Sequence, residues 1–251
     1  MISKNKIKYI RSLEHKKNRN NEDLFIAEGP KIVGDLLPYI PVTLIAATTQ
    51  WIEEHKNILS DIEIIEVSDE ELGKISLMRH PQQVLAVFRK RKHNMDITNI
   101  GECLSIVLDG VQDPGNLGTI VRIADWFGIS TIFCSEDTAD IYNPKAIQST
   151  MGSIARVNVV YTDIEKLIEK LPDNFPVYGT LLDGKNIYEQ KLSSTGLIVM
   201  GNEGKGISEK IRNKITDKLY IPNFPQDKET TDSLNVAVAT AIVCSEFRRN
   251  K

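Results

Sequence analysis

The sequence contains few residues of the kinds that bind metals or form disulfides. Its 251 residues include 3 cysteines and 4 histidines, at Cys103, Cys134, Cys244, His15, His55, His80 and His93. No two cysteines have the short spacing of a metal-ligand pair, and the histidines are isolated. An odd number of thiols fits a reducing cytosol better than a disulfide framework. We therefore expect a cytoplasmic protein that binds no metal ion.

Long hydrophobic runs are lacking as well. The chain has no stretch of about 18 apolar residues, so no membrane-spanning helix is expected. Residues 1–20 are basic and polar, without the apolar segment of a secretion signal. With 41% hydrophobic and 26% charged residues, the composition is that of a folded chain with room for one large domain or two modest ones.

The sequence also lacks an excess of positive charge, because its formal net charge is −3 at pH 7. The cations are nevertheless unevenly placed: residues 4–19 contain Glu14 as the single acid, and residues 89–93 form a second basic cluster. The cations of the first cluster are Lys4, Lys6, Lys8, Arg11, Lys16, Lys17 and Arg19. Local basic patches bind phosphates whatever the total charge, although a solvated surface is an equal alternative for each cluster.

Two parts with alternating strands and helices are separated by a polar linker. Residues 1–92 form a small α/β domain, with predicted strands at 24–27, 42–47, 62–67 and 84–88. Residues 93–102 are polar and are assigned to the linker. Residues 103–251 form a larger α/β domain, with predicted strands at 104–108, 131–134, 156–160, 177–180, 197–200 and 218–221. Continuous apolar runs such as Ser105-Ile106-Val107-Leu108 are typical of a parallel sheet that is buried on both faces.

Ligands of open parallel sheets bind beyond the carboxyl ends of the strands, and three loops there are rich in glycine and polar residues. The first runs from Asp109 to Gly118. Its Pro114-Gly115 pair predicts a turn, and Asn116 is predicted to be the N-cap of a helix over 119–127. Arg122 projects from this helix near Trp126, opposite the apolar face. That face is formed by Leu117, Ile120, Ile123, Ala124 and Phe127.

The second loop, Gly201-Asn202-Glu203-Gly204-Lys205-Gly206, lies between a predicted strand and a helix that starts near Ser208. Its three glycines permit unusual dihedral angles and a close approach of backbone to ligand. The loop is not a P-loop, because the Gly-Lys-Ser/Thr ending is missing, and its G-x-x-G-x-G order is not the dinucleotide fingerprint. Taken alone, it does not identify a ligand.

The third loop begins at Ile221-Pro222 and leads through polar residues into a helix predicted from Ser233. Asp232 or Ser233 is the expected N-cap. Small or apolar residues surround this helix on almost all sides as far as Phe247, and a helix that is apolar all round is buried all round. We expect the sheet to cover one side and another subunit to cover the other.

Together and in this order, the loops resemble the three motifs of the SpoU family of RNA 2′-O-ribose methyltransferases. The matching residues are Asn116-Leu117-Gly118 with Arg122, Gly201-Asn202-Glu203-Gly204-Lys205-Gly206, and Ile221-Pro222 with Ser233-Leu234-Asn235-Val236-Ala237-Val238-Ala239. The resemblance covers about residues 104–249. The N-terminal part is similar to the substrate-binding domain often fused to this catalytic domain, and His80-Pro81-Gln82-Gln83-Val84-Leu85-Ala86-Val87 resembles its closing segment.

The resemblance implies a C-terminal segment that passes through a loop and forms a deep trefoil knot. Pattern alone would not suggest this, because knots are nearly absent among protein folds. It also implies a homodimer, and S-adenosylmethionine bound largely through the backbone of the later motifs, at Gly201, Ile221 and Leu234. The N-terminal domain would select the RNA. We expect deletion of residues 1–95 to leave cofactor binding and to remove RNA selectivity.

The resemblance makes Arg122 the central catalytic residue, a role described in the family as that of a general base. A guanidinium loses its proton only above about pH 12. We therefore hypothesise that Arg122 holds a phosphate and stabilises the developing alkoxide. Asn116 is expected to orient substrate or Arg122, and Glu203 to hold the glycine loop or contact RNA. Ser233 and Asn235 stand at a helix N-terminus, which suits a phosphate or the methionine carboxylate.

The predicted activity is methyl transfer from S-adenosylmethionine to a ribose 2′-hydroxyl of structured RNA, with ribosomal RNA favoured over transfer RNA. Three alternatives stay open. One is a non-catalytic RNA-binding or ribosome-assembly protein that keeps the fold. Another is methylation of a base instead of a ribose. The third is a nucleotide- or NAD-dependent enzyme, which the missing first-loop fingerprint disfavours.

Overall fold

The computed structural model describes residues 2–58, 62–91, 100–225, 231 and 233–249. The chain divides into two compact units. The first comprises Met1–Lys92 and Asp140–Ala155, and the second comprises His93–Ala139 and Arg156–Lys251. Residues 140–155 thus group with the N-terminal part, which no local pattern indicates. Most of the predicted linker lies outside the described residues, and the domain limits at 92 and 103 stay predictions.

A four-stranded mixed sheet forms the centre of the first unit. Its strands are β1 (Leu24–Glu28), β2 (Val42–Ala47), β3 (Glu63–Glu66) and β4 (Val84–Arg89). They lie in the order β1-β4-β2-β3, with β2 and β3 parallel and the other neighbours antiparallel. All four fall where apolar runs predict strands. The helices that alternate with them are α3 (Pro30–Leu36), α4 (Thr49–His55) and α5 (Asp69–Ile75).

The basic N-terminal segment forms two further helices, α1 (Lys4–Ser12) and α2 (Lys16–Glu22). Ile7, Ile10 and Leu13 recur every three residues, and Ile10 and Leu13 are fully buried in the core of the first unit, with Ile7 packed against it. Tertiary packing, more than local propensity, therefore explains these helices. Arg11 donates hydrogen bonds to the carbonyl oxygens of Lys74 and Ser76 at the end of α5, so this cation supports the fold as well as the surface charge.

Arg19 is 1% exposed and joins three parts of the first unit. Its guanidinium donates hydrogen bonds to the carbonyl oxygens of Leu13 and Glu14, and to the Asp140 carboxylate at 2.7 Å. The segment that Asp140 begins contains α7 (Pro144–Thr150), which packs against β1. Within this segment the Tyr142 ring lies 4.9 Å from that of Phe25. Arg19 is therefore a structural cation and is removed from the predicted phosphate-binding patch.

A six-stranded sheet forms the second unit, with its strands in the order β10-β8-β9-β5-β6-β7. They are β5 (Leu104–Asp109), β6 (Thr131–Cys134), β7 (Asn158–Tyr161), β8 (Val177–Asn186), β9 (Gly196–Gly201) and β10 (Asp217–Tyr220). Every neighbouring pair is parallel, which confirms the predicted parallel sheet. The helices of this unit are α6 (Pro114–Trp126), α8 (Ile164–Glu169), α9 (Glu209–Arg212) and α10 (Val236–Arg248).

The start of α6 corrects the predicted turn and cap. The helix begins at Pro114, and the Asp113 carboxylate is the N-cap that accepts a hydrogen bond from the Asn116 N–H at 2.9 Å. Proline suits the first helical position because its φ angle is already helical and its missing N–H would have no partner there. Asn116 therefore lies inside the first turn and does not cap the helix. Of the predicted apolar face, Leu117, Ile120 and Ala124 are buried, whereas Ile123 and Phe127 are only partly buried and Val121 is buried as well.

The start of α10 also differs from the prediction. Its N-cap is Asn235, whose side-chain oxygen accepts hydrogen bonds from the N–H groups of Ala237 and Val238. One asparagine thus satisfies two free donors of the first turn. Ser233, predicted as a cap, lies exposed before the helix, and Asp232 lies outside the described residues. None of the helices in the described ranges is both long and apolar enough to cross a membrane.

Candidate active site

Two parallel helices of the second unit bring their N-terminal ends together. At that end, Asn235 Nδ2 donates a hydrogen bond to Asn116 Oδ1 at 3.0 Å. At the other end, the Arg248 guanidinium donates to the carbonyl oxygens of Phe127 and Gly128 at 2.9 and 3.3 Å. Since a helix N-terminus carries a partial positive charge, α6 and α10 together favour a negatively charged group at this junction.

The glycine loop, Gly201–Gly206, adds Glu203 to the same junction. The Glu203 carboxylate accepts hydrogen bonds from Asn116 Nδ2 at 3.0 Å and from the N–H groups of Gln112 and Asp113 at 3.3 and 3.5 Å. Burial alone would raise the pKa of Glu203, but the hydrogen bonds outweigh it and hold this pKa below its usual value. The carboxylate is therefore ionised at neutral pH and acts as a fixed hydrogen-bond acceptor.

The structure thus joins three of the five predicted catalytic residues in one hydrogen-bonded chain, from Glu203 through Asn116 to Asn235. In sequence, 87 positions separate Asn116 from Glu203 and 119 separate it from Asn235. All three approach the site from the carboxyl edge of the parallel sheet, where ligands of such folds bind. The three loops singled out in the sequence therefore meet at one place.

The other two predicted catalytic residues stand apart from this chain of hydrogen bonds. Arg122 is exposed on α6, six positions after Asn116, and its guanidinium has no hydrogen bond or ion pair with any other residue in the described ranges. Trp126, one turn further on, is 85% exposed. Ser233 is exposed two positions before Asn235. Arg122 and Ser233 are available to a substrate, whereas the other three are already engaged with one another.

The predicted cofactor residues lie at or near the ends of strands. Gly201 ends β9, and Ile221 directly follows β10, on the far side of β8. Parallel strands place both ends at the same edge of the sheet. A side chain at Gly201 would bring a Cβ within 2.3 Å of the Gly206 carbonyl carbon, so this position requires glycine. Leu234 is 46% exposed immediately before the cap of α10.

Two residues at this edge, Asp109 and Asn202, belong to the first and second loops but were given no role from the sequence. The Asp109 carboxylate accepts a hydrogen bond from the Ser208 N–H at 2.7 Å, and Asn202 holds the turn of the glycine loop. An asparagine that precedes a glycine-rich turn is a known turn-forming pattern and was the available indication for Asn202. The Asp-Pro pair at 113–114 was the corresponding indication for the start of α6.

Across the residues for which the structure is described, no three histidine, cysteine or carboxylate side chains are placed together as a metal ion would need. The three cysteines are free thiols, with Cys134 and Cys244 buried.

Both the N-terminal and the C-terminal part of the chain match known protein families. Residues 103–245 match the SpoU rRNA Methylase family, and residues 4–86 match the MRM3-like substrate binding domain. The chain is 30% identical to the 23S rRNA (guanosine(2553)-2′-O)-methyltransferase RlmP of Bacillus subtilis, covering 97% of this chain and 96% of the relative. The catalytic family match thus includes the hydrogen-bonded residues at the helix junction.

Two solved structures are similar over the full length. A protein from Porphyromonas gingivalis, described as belonging to the TrmH family of RNA methyltransferases, is 39% identical, with a TM-score of 0.88 and coverage of 100% of both chains. An AdoMet-bound rRNA methyltransferase from Sinorhizobium meliloti is 28% identical, with a TM-score of 0.86, covering 99% of this chain and 96% of that chain. The chain therefore belongs to the SpoU rRNA methylase family, as its three motifs predict.

Proposed function

We propose that this chain transfers a methyl group from S-adenosylmethionine to a ribose 2′-hydroxyl of large-subunit ribosomal RNA. The observation that carries the proposal is the meeting of Asn116, Glu203 and Asn235 where two helix N-termini converge. Family membership and the relative named for ribose methylation of 23S rRNA support the reaction and the substrate class. The free thiols and an RNA substrate fit a cytoplasmic location.

The residues at the sheet edge fit a nucleoside cofactor held by backbone. Gly201 admits no side chain, Ile221 is half-buried, and Leu234 exposes an apolar surface. We assign S-adenosylmethionine to these three positions, which combine apolar contact with backbone donors and acceptors. When bound, the cofactor supplies an activated sulfonium methyl group, so the protein's task is to hold the nucleophile in line.

Arg122 is assigned to the RNA side of the reaction. Its exposed guanidinium is free to grip a phosphate next to the target ribose and to stabilise negative charge that develops on the 2′-oxygen. The ionised Glu203 holds Asn116 and the backbone of the first loop and is not assigned as the base. Exposed Ser233, next to the junction, is assigned to a phosphate or to the methionine carboxylate.

The first unit is assigned to RNA selection, although with fewer cations than the sequence indicates. Arg19 is buried, Lys6 pairs with Glu63, and Arg11 holds backbone carbonyl groups. The exposed cations left on α1 and α2 are Lys4, Lys8, Lys16 and Lys17. Their attraction to phosphate is sequence-independent, so base selection must come from other groups of this unit.

Methyl transfer is tested with isolated 23S rRNA and labelled S-adenosylmethionine. We expect nuclease digestion followed by mass spectrometry to show one 2′-O-methylated nucleoside, and no product from rRNA that already carries the mark. A methylated base would contradict ribose methylation. RNA binding without transfer, together with no heat of binding for S-adenosylmethionine, would favour the non-catalytic alternative.

A second copy of this chain is the proposed partner of α6 and α10. Trp126 and Val238 are 85% and 50% exposed, and Ile123 and Ile242 are partly exposed on the same two adjacent helices. Apolar side chains clustered on neighbouring helices mark interaction surfaces in soluble proteins. A twofold axis allows one such face to pair with itself.

Replacing Val238 by glutamate should therefore convert a dimer to a monomer, because a charge would be buried in an apolar contact. Sedimentation velocity at several protein concentrations measures the change. Tyr39→Glu, at a 54% exposed aromatic residue of the first unit, is the matched control and should stay dimeric. A wild-type chain that sediments as a monomer at every concentration would rule out this interface.

The trefoil knot stays a proposal as well. After β10, at the outer edge of the sheet, the chain returns to pack α10 beside α6 and β9, further in. This return across β8 supports a chain that threads its own loop. Single-molecule stretching of the second unit from both ends tests it, because a tightened knot leaves the pulled chain shorter than its residue number requires.

A further inference from the structure

Asn202 in the glycine loop is hydrogen-bonded through both ends of its side-chain amide. Its Nδ2 donates to the Gly110 carbonyl oxygen at 2.6 Å, and its Oδ1 accepts from the N–H groups of Gly204 and Lys205, both at 2.9 Å. Its own N–H donates to the Gly206 carbonyl oxygen and its carbonyl oxygen accepts from the Gly206 N–H, at 3.0 and 2.9 Å. Each of its polar groups therefore has a partner, three of them within the glycine loop and the fourth at Gly110.

Little side-chain packing holds the loop around Asn202 in shape. Residues 203–206 are exposed, and three of the six loop residues are glycines, which lose more conformational freedom on ordering than any other residue. Gly206 has a φ angle of +69°, which favours glycine. Its backbone lies so close to Gly201 that no side chain fits at position 201. The Asn202 side chain supplies the cross-links that packing does not.

Asn202 also ties the glycine loop to the loop after β5. Its bond to Gly110 lies beside two other links between these loops. Asp109 accepts a hydrogen bond from the Ser208 N–H, and Glu203 accepts from the N–H groups of Gln112 and Asp113, just before α6. A Cβ on Gly110 would meet the Asp137 carboxylate at 3.1 Å and Asn202 Cβ at 3.8 Å, so the approach is close. Asn202 thus adds a third link between the loop that carries Glu203 and the loop that leads to Asn116.

We propose that Asn202 is a positioning residue that sets the glycine loop before the cofactor binds and, through the loop, sets the Glu203 carboxylate against Asn116. The proposal rests on the proposed function for the identity of the cofactor. Asn202 acts through the backbone of Gly204 and Lys205 and through Gly110, and touches no reacting atom. A loop ordered in advance loses less conformational entropy when the ligand binds.

Two substitutions, taken together, distinguish the donor from the acceptor of the Asn202 side chain. Asn202→Ala removes all side-chain bonds, whereas Asn202→Asp keeps an oxygen that accepts from Gly204 and Lys205 but loses the donor to Gly110 and places a charge beside that carbonyl group. Asn143→Ala is the matched control, because Asn143 caps α7 through the Lys145 N–H in the first unit and has no link to the glycine loop.

Three quantities are measured on the full chain: the dissociation constant of S-adenosylmethionine by calorimetry, amide hydrogen exchange at Gly204 and Lys205, and kcat with KM. For Asn202→Ala we expect about a tenfold or larger rise in the dissociation constant, fast exchange of both amides and a lower kcat at saturating cofactor. Asn202→Asp should keep both amides protected, with an intermediate dissociation constant. Asn143→Ala should match wild type in all three.

Wild-type affinity and kcat in Asn202→Ala, or amides still protected in that variant, would overturn the positioning role. If Asn202→Ala does not fold, Asn202→Asp decides: wild-type affinity and kcat there would overturn the link to Gly110. A wild-type protein that binds S-adenosylmethionine but methylates no RNA would contradict the proposed function alone, since the amide protection and the dissociation constants still report on Asn202.

Discussion

Replacing Arg122 by alanine should lower kcat by about 10²–10³-fold, because removal of a group that stabilises developing oxyanion charge has effects of this size. The dissociation constant of S-adenosylmethionine should stay near the wild-type value, since Arg122 makes no bond to the glycine loop or to Asn235 in the described structure. Single-turnover methylation of 23S rRNA and calorimetry with the cofactor measure the two quantities separately.

Arg122→Lys distinguishes the two roles considered for this residue. A lysine keeps the charge but not the planar pair of donors, so a phosphate-gripping role predicts a reduced rate with the same shape of pH–rate profile. A base role predicts a profile that moves with the new side chain. Lys170→Ala, at an exposed cation after α8, is the control. A near-normal rate in Arg122→Lys would exclude a demanding bidentate contact.

Replacing Arg19 by alanine should destabilise the first unit by about 3–5 kcal/mol, because it leaves the Asp140 carboxylate in a largely buried position without its partner. The carbonyl oxygens of Leu13 and Glu14 lose their donor as well. Lys31→Ala breaks an exposed pair with Asp35 and should change stability by less than about 1 kcal/mol.

The two tryptophans allow the unfolding of the first unit to be monitored separately. Trp51 is fully buried in the first unit, and Trp126 belongs to the second. In a Trp126→Phe background, urea unfolding monitored by fluorescence reports only on Trp51. An Arg19→Ala midpoint that coincides with the Lys31→Ala midpoint would show that the buried pair contributes little.

The contacts of residues 140–155 within the first unit change how RNA selection has to be tested. Residues 140–155 pack into the first unit, where Tyr142, Ala146 and Ile147 are buried. Deletion of residues 1–95 would therefore expose an apolar segment of the remaining chain, and loss of RNA selectivity would be mixed with misfolding. Substitution of exposed lysines on α1 and α2 in the full chain avoids this difficulty.

Local patterns in the sequence determined the elements and the family. Runs such as Val42–Ala47 and Leu104–Asp109 are strands because β-branched and other apolar residues there fill a buried sheet. The three motifs also indicated which loops form the candidate site, since each follows a strand of a parallel sheet. These properties depend on a few neighbouring residues, so they can be recognised without the fold.

Only the tertiary structure decided which side chains meet. The bonds from Asn116 to Glu203 and to Asn235 span 87 and 119 positions and depend on the order of the strands and on the parallel packing of α6 and α10. Tertiary contacts likewise decided which residues cap the two helices, Asp113 and Asn235. They also decided that Arg19 is buried with Asp140. A polar side chain has several local options, and the partner it takes is set by the groups that folding brings within reach.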